Sequence, residues 1–171
     1  LILLGADEVK APAGTFVVYV GSHGDAGAQQ ADLVLPAAAY TEKNATYVNT
    51  EGRVQQARRA VFPKGDARED WAIFRAVSAL VGKTLPYDNL DALRAKLMAD
   101  SPSFAGLDYA PGASTPLELK LLGVAGDVDA APFTSAIADF YLTNPIARSS
   151  QIMADCSAAK KAASVAAIAA E

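Results

Sequence analysis

The chain has 171 residues, 51% of them hydrophobic, and its 15 basic and 19 acidic residues leave a formal net charge of −4. That length suits about one domain of roughly 100–200 residues with material for a core, and it excludes a wholly disordered chain. No basic stripe marks a nucleic-acid binder. One Cys and one His exclude an internal disulfide, a structural zinc site and an iron–sulfur cluster held by this chain's thiolates alone.

Leu1 to Leu4 is a short apolar run ending at Gly5, as a buried strand would be. Asp7 and Glu8 follow at once, so the run lacks the make-up of a signal peptide. A start on Leu inside a strand-like pattern leads us to expect part of a longer polypeptide. Thr15 to Val20 is a second run, β-branched and aromatic, ending at Gly21. Ala31 to Leu35 is a third, stopped by Pro36, which cannot donate to a strand ladder. Runs without polar alternation suit a parallel sheet covered on both faces. The Asp7–Gly14 connection is short for a crossover helix.

Glycines at 21, 24 and 27 join the second and third runs. Such a loop invites a phosphate-cradle reading, but the dinucleotide fingerprint needs another spacing and a helix after it. Gln29 to Leu35 leads directly into a strand, so a flexible connecting loop is the preferred reading.

Thr46–Asn49 and Val54–Ala57 flank Thr50-Glu-Gly-Arg53, which predicts a hairpin with its turn at Gly52. Arg53, Arg58 and Arg59 add positive charge there. A guanidinium can take a phosphate or a partner's carboxylate, but a solvated charged face is the simpler reading.

Asp66 with Glu69 three residues on predicts a capped helix start, and the helix runs to about Val81 before Gly82. Trp71, Phe74, Val77 and Val81 fall on one stripe, with Trp71 as core anchor. Asp88 is the predicted cap of a second helix over Asn89–Asp100, with Leu90, Leu93, Leu97 and Met98 at helical spacing. From Ser101 to Pro132 the chain is dense in Pro, Gly and Ser, with one leucine-rich patch at Leu117–Leu122 that suits a helical turn. Ser149 to Glu171 is Ala-rich, so helix propensity is high and burial thin. This end is expected to dock on a partner or fray. Nowhere does an apolar stretch approach the about 20 residues of a membrane-spanning helix; Ala162–Ala170 is short and mostly Ala. The lone Cys156 fits a reducing compartment.

Several of these segments carry a resemblance. ADLVLPAAAY (Ala31–Tyr40), EKNATYVNTEGRVQ (Glu42–Gln55) and PKGDAREDW (Pro63–Trp71) resemble consecutive motifs of the molybdopterin-oxidoreductase-like family. Within it, Ala45 stands where the molybdenum enzymes commonly carry Gly before the Thr. Gly21–Ala28, Asp139–Asn144 and Ala147–Ala154 look like the large iron–sulfur subunits of respiratory complex I. The resemblance implies an α/β fold: a fragment of a molybdopterin-oxidoreductase-like domain with a largely parallel sheet, a β-hairpin, flanking helices and a helical C-terminal tail. We expect residues 1–100 to be the C-terminal portion of that domain, 101–138 an irregular connection and 139–171 a mostly helical tail.

By the same resemblance, the complete assembly oxidises NADH and passes electrons through iron–sulfur clusters to quinone, coupled to proton translocation. The subunit's 2Fe-2S and 4Fe-4S clusters would be ligated by residues absent from this chain. None of its ligands carries onto a position here, so no catalytic, cofactor-binding or metal residue is expected. Implied partners are other peripheral-arm subunits, namely the NADH-binding flavin subunit and neighbouring iron–sulfur subunits. The implied place is an inner-membrane-associated arm, on the cytoplasmic side in bacteria or the matrix side in mitochondria. The alternative is the cofactor-binding C-terminal part of a molybdenum-pterin oxidoreductase, its Gly21–Ala28 loop and Thr46–Arg53 hairpin touching the pterin dinucleotide.

Overall fold

The apolar runs become strands β1 (Ile2–Leu4), β2 (Val18–Gly21) and β3 (Leu33–Pro36), which form a parallel sheet in the order β1-β2-β3. The structure, a computed structural model, describes residues 1–109, 122–127 and 130–168, the last five of these by backbone alone. The chain divides into two compact units. The first comprises Leu1–Tyr19, His23–Val34 and Gly126–Glu171, and the second Val20–Ser22 and Leu35–Ala125.

In the first unit, Leu3, Val17 and Tyr19 form the core, with Ala6, Ala11, Ala28 and Ala31 packed against it. Leu33 N–H donates to the Val17 carbonyl (3.1 Å), and the Asp32 carboxylate accepts from Val17 N–H (2.7 Å). Gln30 stitches down the Val9–Ala11 segment: its Nε2 donates to the Val9 carbonyl (2.7 Å) and its Oε1 accepts from Ala11 N–H (2.9 Å). That side-chain clamp replaces the crossover helix for which the connection is too short. The expectation of a sheet covered on both faces is not met within this unit, because Ile2 is 54% and Leu4 55% exposed. The glycine loop also differs from the flexible connection expected. It contains a helical turn, α1 (Ala26–Gln29), which Asp25 caps by accepting from Ala26 N–H at 2.9 Å.

In the second unit the predicted hairpin forms from β4 (Ala45–Val48) and β5 (Val54–Ala57), antiparallel, with Ala45 opposite Ala57 and Val48 opposite Val54. Gly52 sits at φ +83°, which a side chain would strain. Asn49 does as much for the turn: its Oδ1 accepts from both Glu51 N–H (3.1 Å) and Arg53 N–H (3.0 Å). Pro36 ends β3 but not the extended chain; Ala38 N–H donates to the Arg68 carbonyl (2.8 Å) and Arg68 N–H to that of Pro36 (3.2 Å).

Helix α2 (Asp70–Leu80) starts later than predicted. Its cap residue is Glu69, not Asp66, and Glu69 makes no capping bond. Its carboxylate instead accepts from Trp71 Nε1 (2.7 Å) and from Asn44 N–H (3.3 Å). Trp71 is half-buried rather than a core anchor, and Val81 is 67% exposed. The stripe has too little opposite it within the unit to be fully covered. In α3 (Leu90–Asp100) the cap is Asn89, one residue beyond the predicted Asp88, accepting from Ala92 N–H at 2.8 Å. Asp88 is drawn away by Arg75, whose Nη2 lies 2.6 Å from its carboxylate. A 3₁₀ turn over Pro102–Ala105 follows. The leucine-rich patch at Leu117–Leu122 lies, all but Leu122, outside the described residues.

The far end of the first unit is helical. A short 3₁₀ turn (Phe140–Leu142) is followed by α4 (Pro145–Arg148) and α5 (Gln151–Ile168). Asn144 caps α4, accepting from Ala147 N–H at 2.9 Å, and Pro145 fills the first helical position, where its missing N–H costs nothing. Asp139 anchors α5: Ser157 Oγ donates to its carboxylate at 2.5 Å and Lys161 Nζ lies 2.9 Å from it. These donors, Ser157 foremost, hold the Asp139 carboxyl below its usual range. The thinly buried tail is thus fixed by polar contacts, with Ser157 itself buried. No helix among the described residues is long and apolar enough to cross a membrane.

Candidate functional site

In open parallel sheets, ligands are usually seated beyond the carboxyl ends of the strands, against glycine loops and helix starts. Here that position is the junction of Ala6–Glu8, which follows β1, with His23–Gly27. A phosphate would need free backbone N–H groups and room. Both are already taken.

Gly27 N–H donates to the Asp7 carboxylate at 3.0 Å, and Ala26 N–H to that of Asp25. A Cβ on Gly27 would lie 2.7 Å from the Ala6 carbonyl oxygen, 2.7 Å from Tyr19 Cε2 and 2.9 Å from Asp7 Oδ1. The glycine therefore serves close packing of loop on strand, not approach of a ligand. Tyr19 closes the joint from beneath, its hydroxyl donating to the His23 carbonyl (2.9 Å) and lying 3.5 Å from Asp7 Oδ2. Burial, and then the Asp7 charge, push the Tyr19 phenol above its ordinary value.

Arg148, at the end of α4, completes the joint. Its guanidinium donates to the Asp25 carboxylate, to Glu8 (3.1 Å) and to the Leu142 carbonyl (3.1 Å). The bond to Asp25, before any other cause, holds the Asp25 carboxyl below its usual range, and Asp25 in turn raises Arg148. Three carboxylates, Asp7, Glu8 and Asp25, thus surround the loop with one arginine among them. An incoming phosphate would meet acceptors where it needs donors. The loop as built does not fit a dinucleotide phosphate.

The hairpin is likewise engaged with its own unit. Arg53 Nε donates to Glu51 (2.8 Å) and Nη1 to the Asp108 carbonyl (2.6 Å), while Asp108 N–H donates to the Val54 carbonyl (2.7 Å). Arg59 lies over the Phe62 ring, 4.3 Å from its centroid. Arg58 makes no such contact. Beside the hairpin, Trp71, Tyr47, Leu93 and Leu97 line a mostly apolar cavity of about 320 Å³. Lys43 bridges its rim to Asp70 at 2.5 Å. Among the described residues no group of three or more His, Cys, Asp or Glu could hold a metal ion.

Sequence reasoning singled out the glycines and the hairpin arginines but passed over Asp7, Tyr19 and Arg148. For Arg148 a signal existed. Asn144-Pro145 is a helix start, and it puts the arginine at the end of a short, placed helix.

Comparison with known proteins agrees with this reading of the motifs. The family model described as molybdopterin oxidoreductase matches residues 1–80, and a model of the C-terminal region of an NADH-ubiquinone oxidoreductase chain matches residues 103–156. The chain is 49% identical over 166 residues to the mitochondrial NADH-ubiquinone oxidoreductase 78 kDa subunit of Neurospora crassa, a match covering 93% of this chain and 22% of that protein. It is 46% identical over 162 residues to the mitochondrial NADH dehydrogenase [ubiquinone] iron-sulfur protein 1 of Solanum tuberosum, covering 93% and 22%. It is 44% identical over 163 residues to the NADH-ubiquinone oxidoreductase 75 kDa subunit of Reclinomonas americana, covering 94% and 23%. The chain therefore spans a little over a fifth of the length of these curated relatives. With its parallel sheet, hairpin and helical tail, it belongs to the molybdopterin-oxidoreductase-like family, in the branch of the large complex I subunits whose C-terminal part it resembles.

Proposed function

We propose that this chain is a scaffold portion of the iron–sulfur subunit of NADH–quinone oxidoreductase and carries no redox centre of its own. The observation behind this reading is the closed joint at the sheet end. Asp7, Asp25 and Arg148 occupy the place and the N–H donors that a pterin dinucleotide's phosphates would use. One Cys in the whole sequence cannot supply the thiolate set of an iron–sulfur cluster either.

On this reading the complete polypeptide binds 2Fe-2S and 4Fe-4S clusters through residues outside this chain. The assembly carries electrons from NADH to quinone and couples them to proton translocation. The chain's neighbours are the NADH-binding flavin subunit and the adjoining iron–sulfur subunits of an arm attached to the inner membrane, facing the cytoplasm in bacteria or the matrix in mitochondria. Its contribution is mechanical: a rigid, polar-stitched end piece.

Metal analysis of the native particle, captured through this chain, tests the proposal. Abundant iron without molybdenum is the expected result. Stoichiometric molybdenum would overturn it in favour of a molybdenum-pterin enzyme and make the glycine loop a cofactor contact after rearrangement.

A further inference from the structure

Beside the hairpin in the second unit lies a cleft of about 520 Å³. Asn44, Gln56 and Arg58 line it from the hairpin side, Asp91 and Arg94 from α3, and Asp108 from the segment bridged to Val54. Its lining differs from the apolar cavity under Trp71, with which it shares Asn44, Leu90 and Arg94.

The arginines single it out. Arg53, Arg68, Arg75 and Arg148 each donate to a carboxylate or carbonyl, and Arg59 lies on Phe62. Arg58 and Arg94 are the remaining arginines, and neither has such a partner among the described residues. Both line this one cleft. Arg94 Nε is moreover buried without any hydrogen-bond partner. A shielded donor on a permanently charged group is costly to leave unmade, by roughly 1–3 kcal/mol or more. An acceptor arriving from outside would relieve that cost.

We propose that this cleft is a carboxylate-binding site, with the anion held between the guanidinium groups of Arg94 and Arg58. A planar carboxylate matches the guanidinium fork and supplies the acceptor that Arg94 Nε lacks. Asp91 and Asp108 share the lining without pairing to either arginine, so they disfavour a doubly charged phosphate more than a singly charged carboxylate. The amides of Asn44 and Gln56 can add donors. The carboxylate comes either from a free small acid or from an acidic side chain of the surrounding protein, and the chemistry is the same.

Arginine footprinting with phenylglyoxal, read by mass spectrometry, tests this on the complete polypeptide and on the native assembly. Arg58 is the reporter because it is exposed, and Arg59, next to it and also exposed, is the internal control. Saturable protection of Arg58 by added acetate, with Arg59 unchanged and equimolar phosphate weaker, supports the site with a free acid as ligand. Protection of Arg58 already present in the assembly or the complete polypeptide, unaffected by acetate and relieved in Arg94→Gln, supports it with a protein side chain as ligand. The proposal is overturned if Arg58 reacts like Arg59 in every form with and without acetate. It is equally overturned if phosphate protects better than acetate, or if Arg94→Gln leaves the protection intact.

Discussion

Arg148 and Asp25 stand 123 residues apart in the chain, yet their side chains form an ion pair that joins the end of α4 to the start of α1. Both side chains are about a quarter exposed, so water screens part of the attraction and the pair is worth less than a fully buried one. Arg148→Met should destabilise the fold by about 1 kcal/mol near neutral pH.

The pH dependence gives that prediction a sign. Asp25 is held below its ordinary carboxylate value by Arg148, so its stabilisation is complete above the unfolded pKa of about 4. It is lost as the pH falls through the depressed folded value. The melting temperatures of the parent and Arg148→Met should therefore differ most at neutral pH and converge in acid. A gap that stays constant down to the acid limit would remove Asp25 from the account.

Tyr19 predicts the opposite end of the scale. Its folded pKa is raised, chiefly by burial, so the stability linked to it is fully present below about 10 and lost as the pH rises through the folded value. Tyr19→Phe should cost about 1 kcal/mol at neutral pH, by loss of the bond to the His23 carbonyl. Alkaline melting curves should then show a smaller pH-dependent loss in the variant than in the parent.

Gly27 and Gly24 sit in one loop and should respond differently. Gly27→Ala drives a methyl group into the Ala6 carbonyl and the Tyr19 ring and should cost roughly 1–3 kcal/mol. Gly24→Ala meets nothing within 4 Å and should be nearly neutral. Urea unfolding of the pair decides between loop packing and ligand approach as the reason for the Gly at 27. Equal effects would count against packing.

Trp71→Ala should cost about 2 kcal/mol, less than the roughly 3–5 kcal/mol of a fully buried tryptophan. The side chain is half-buried beside an existing cavity of about 320 Å³, so its removal forfeits fewer contacts. Its indole N–H bond to Glu69 also goes. A larger loss in denaturant titration would mean that other groups cover the cavity in the intact protein.

Arg53→Ala should leave NADH–ferricyanide activity of the assembly unchanged, because the side chain braces a turn against the Asp108 carbonyl and touches no redox group in our proposal. Activity per flavin, measured beside the yield of assembled particle, separates the two effects. A loss of activity at full assembly would contradict the scaffold role.

What could be read directly were the features with short-range causes. Apolar runs punctuated by Gly5, Gly21 and Pro36 marked three strands, and the turn residues around Gly52 marked the hairpin. Both helices of the second unit were legible from spacing. The errors were at helix starts, where several cap-competent residues stand close together. Asp66 and Glu69, or Asp88 and Asn89, are equivalent by local propensity. Tertiary contacts then separate them: Arg75 engages Asp88 and leaves the cap to Asn89, while Trp71 engages the Glu69 carboxylate and leaves α2 without a side-chain cap.

The sequence by itself determined the succession of strands along the chain, the hairpin, the family and the absence of a thiolate set for a cluster, because each depends on residue type and spacing. Tertiary structure alone decided whether the glycine loop is open or closed. That depends on Asp7, Tyr19 and Arg148 converging on it from distant parts of the chain, and on angstrom-scale space at Gly27. No local pattern carries such information, because a hydrogen bond across 123 residues exists only once the fold has brought its two ends together.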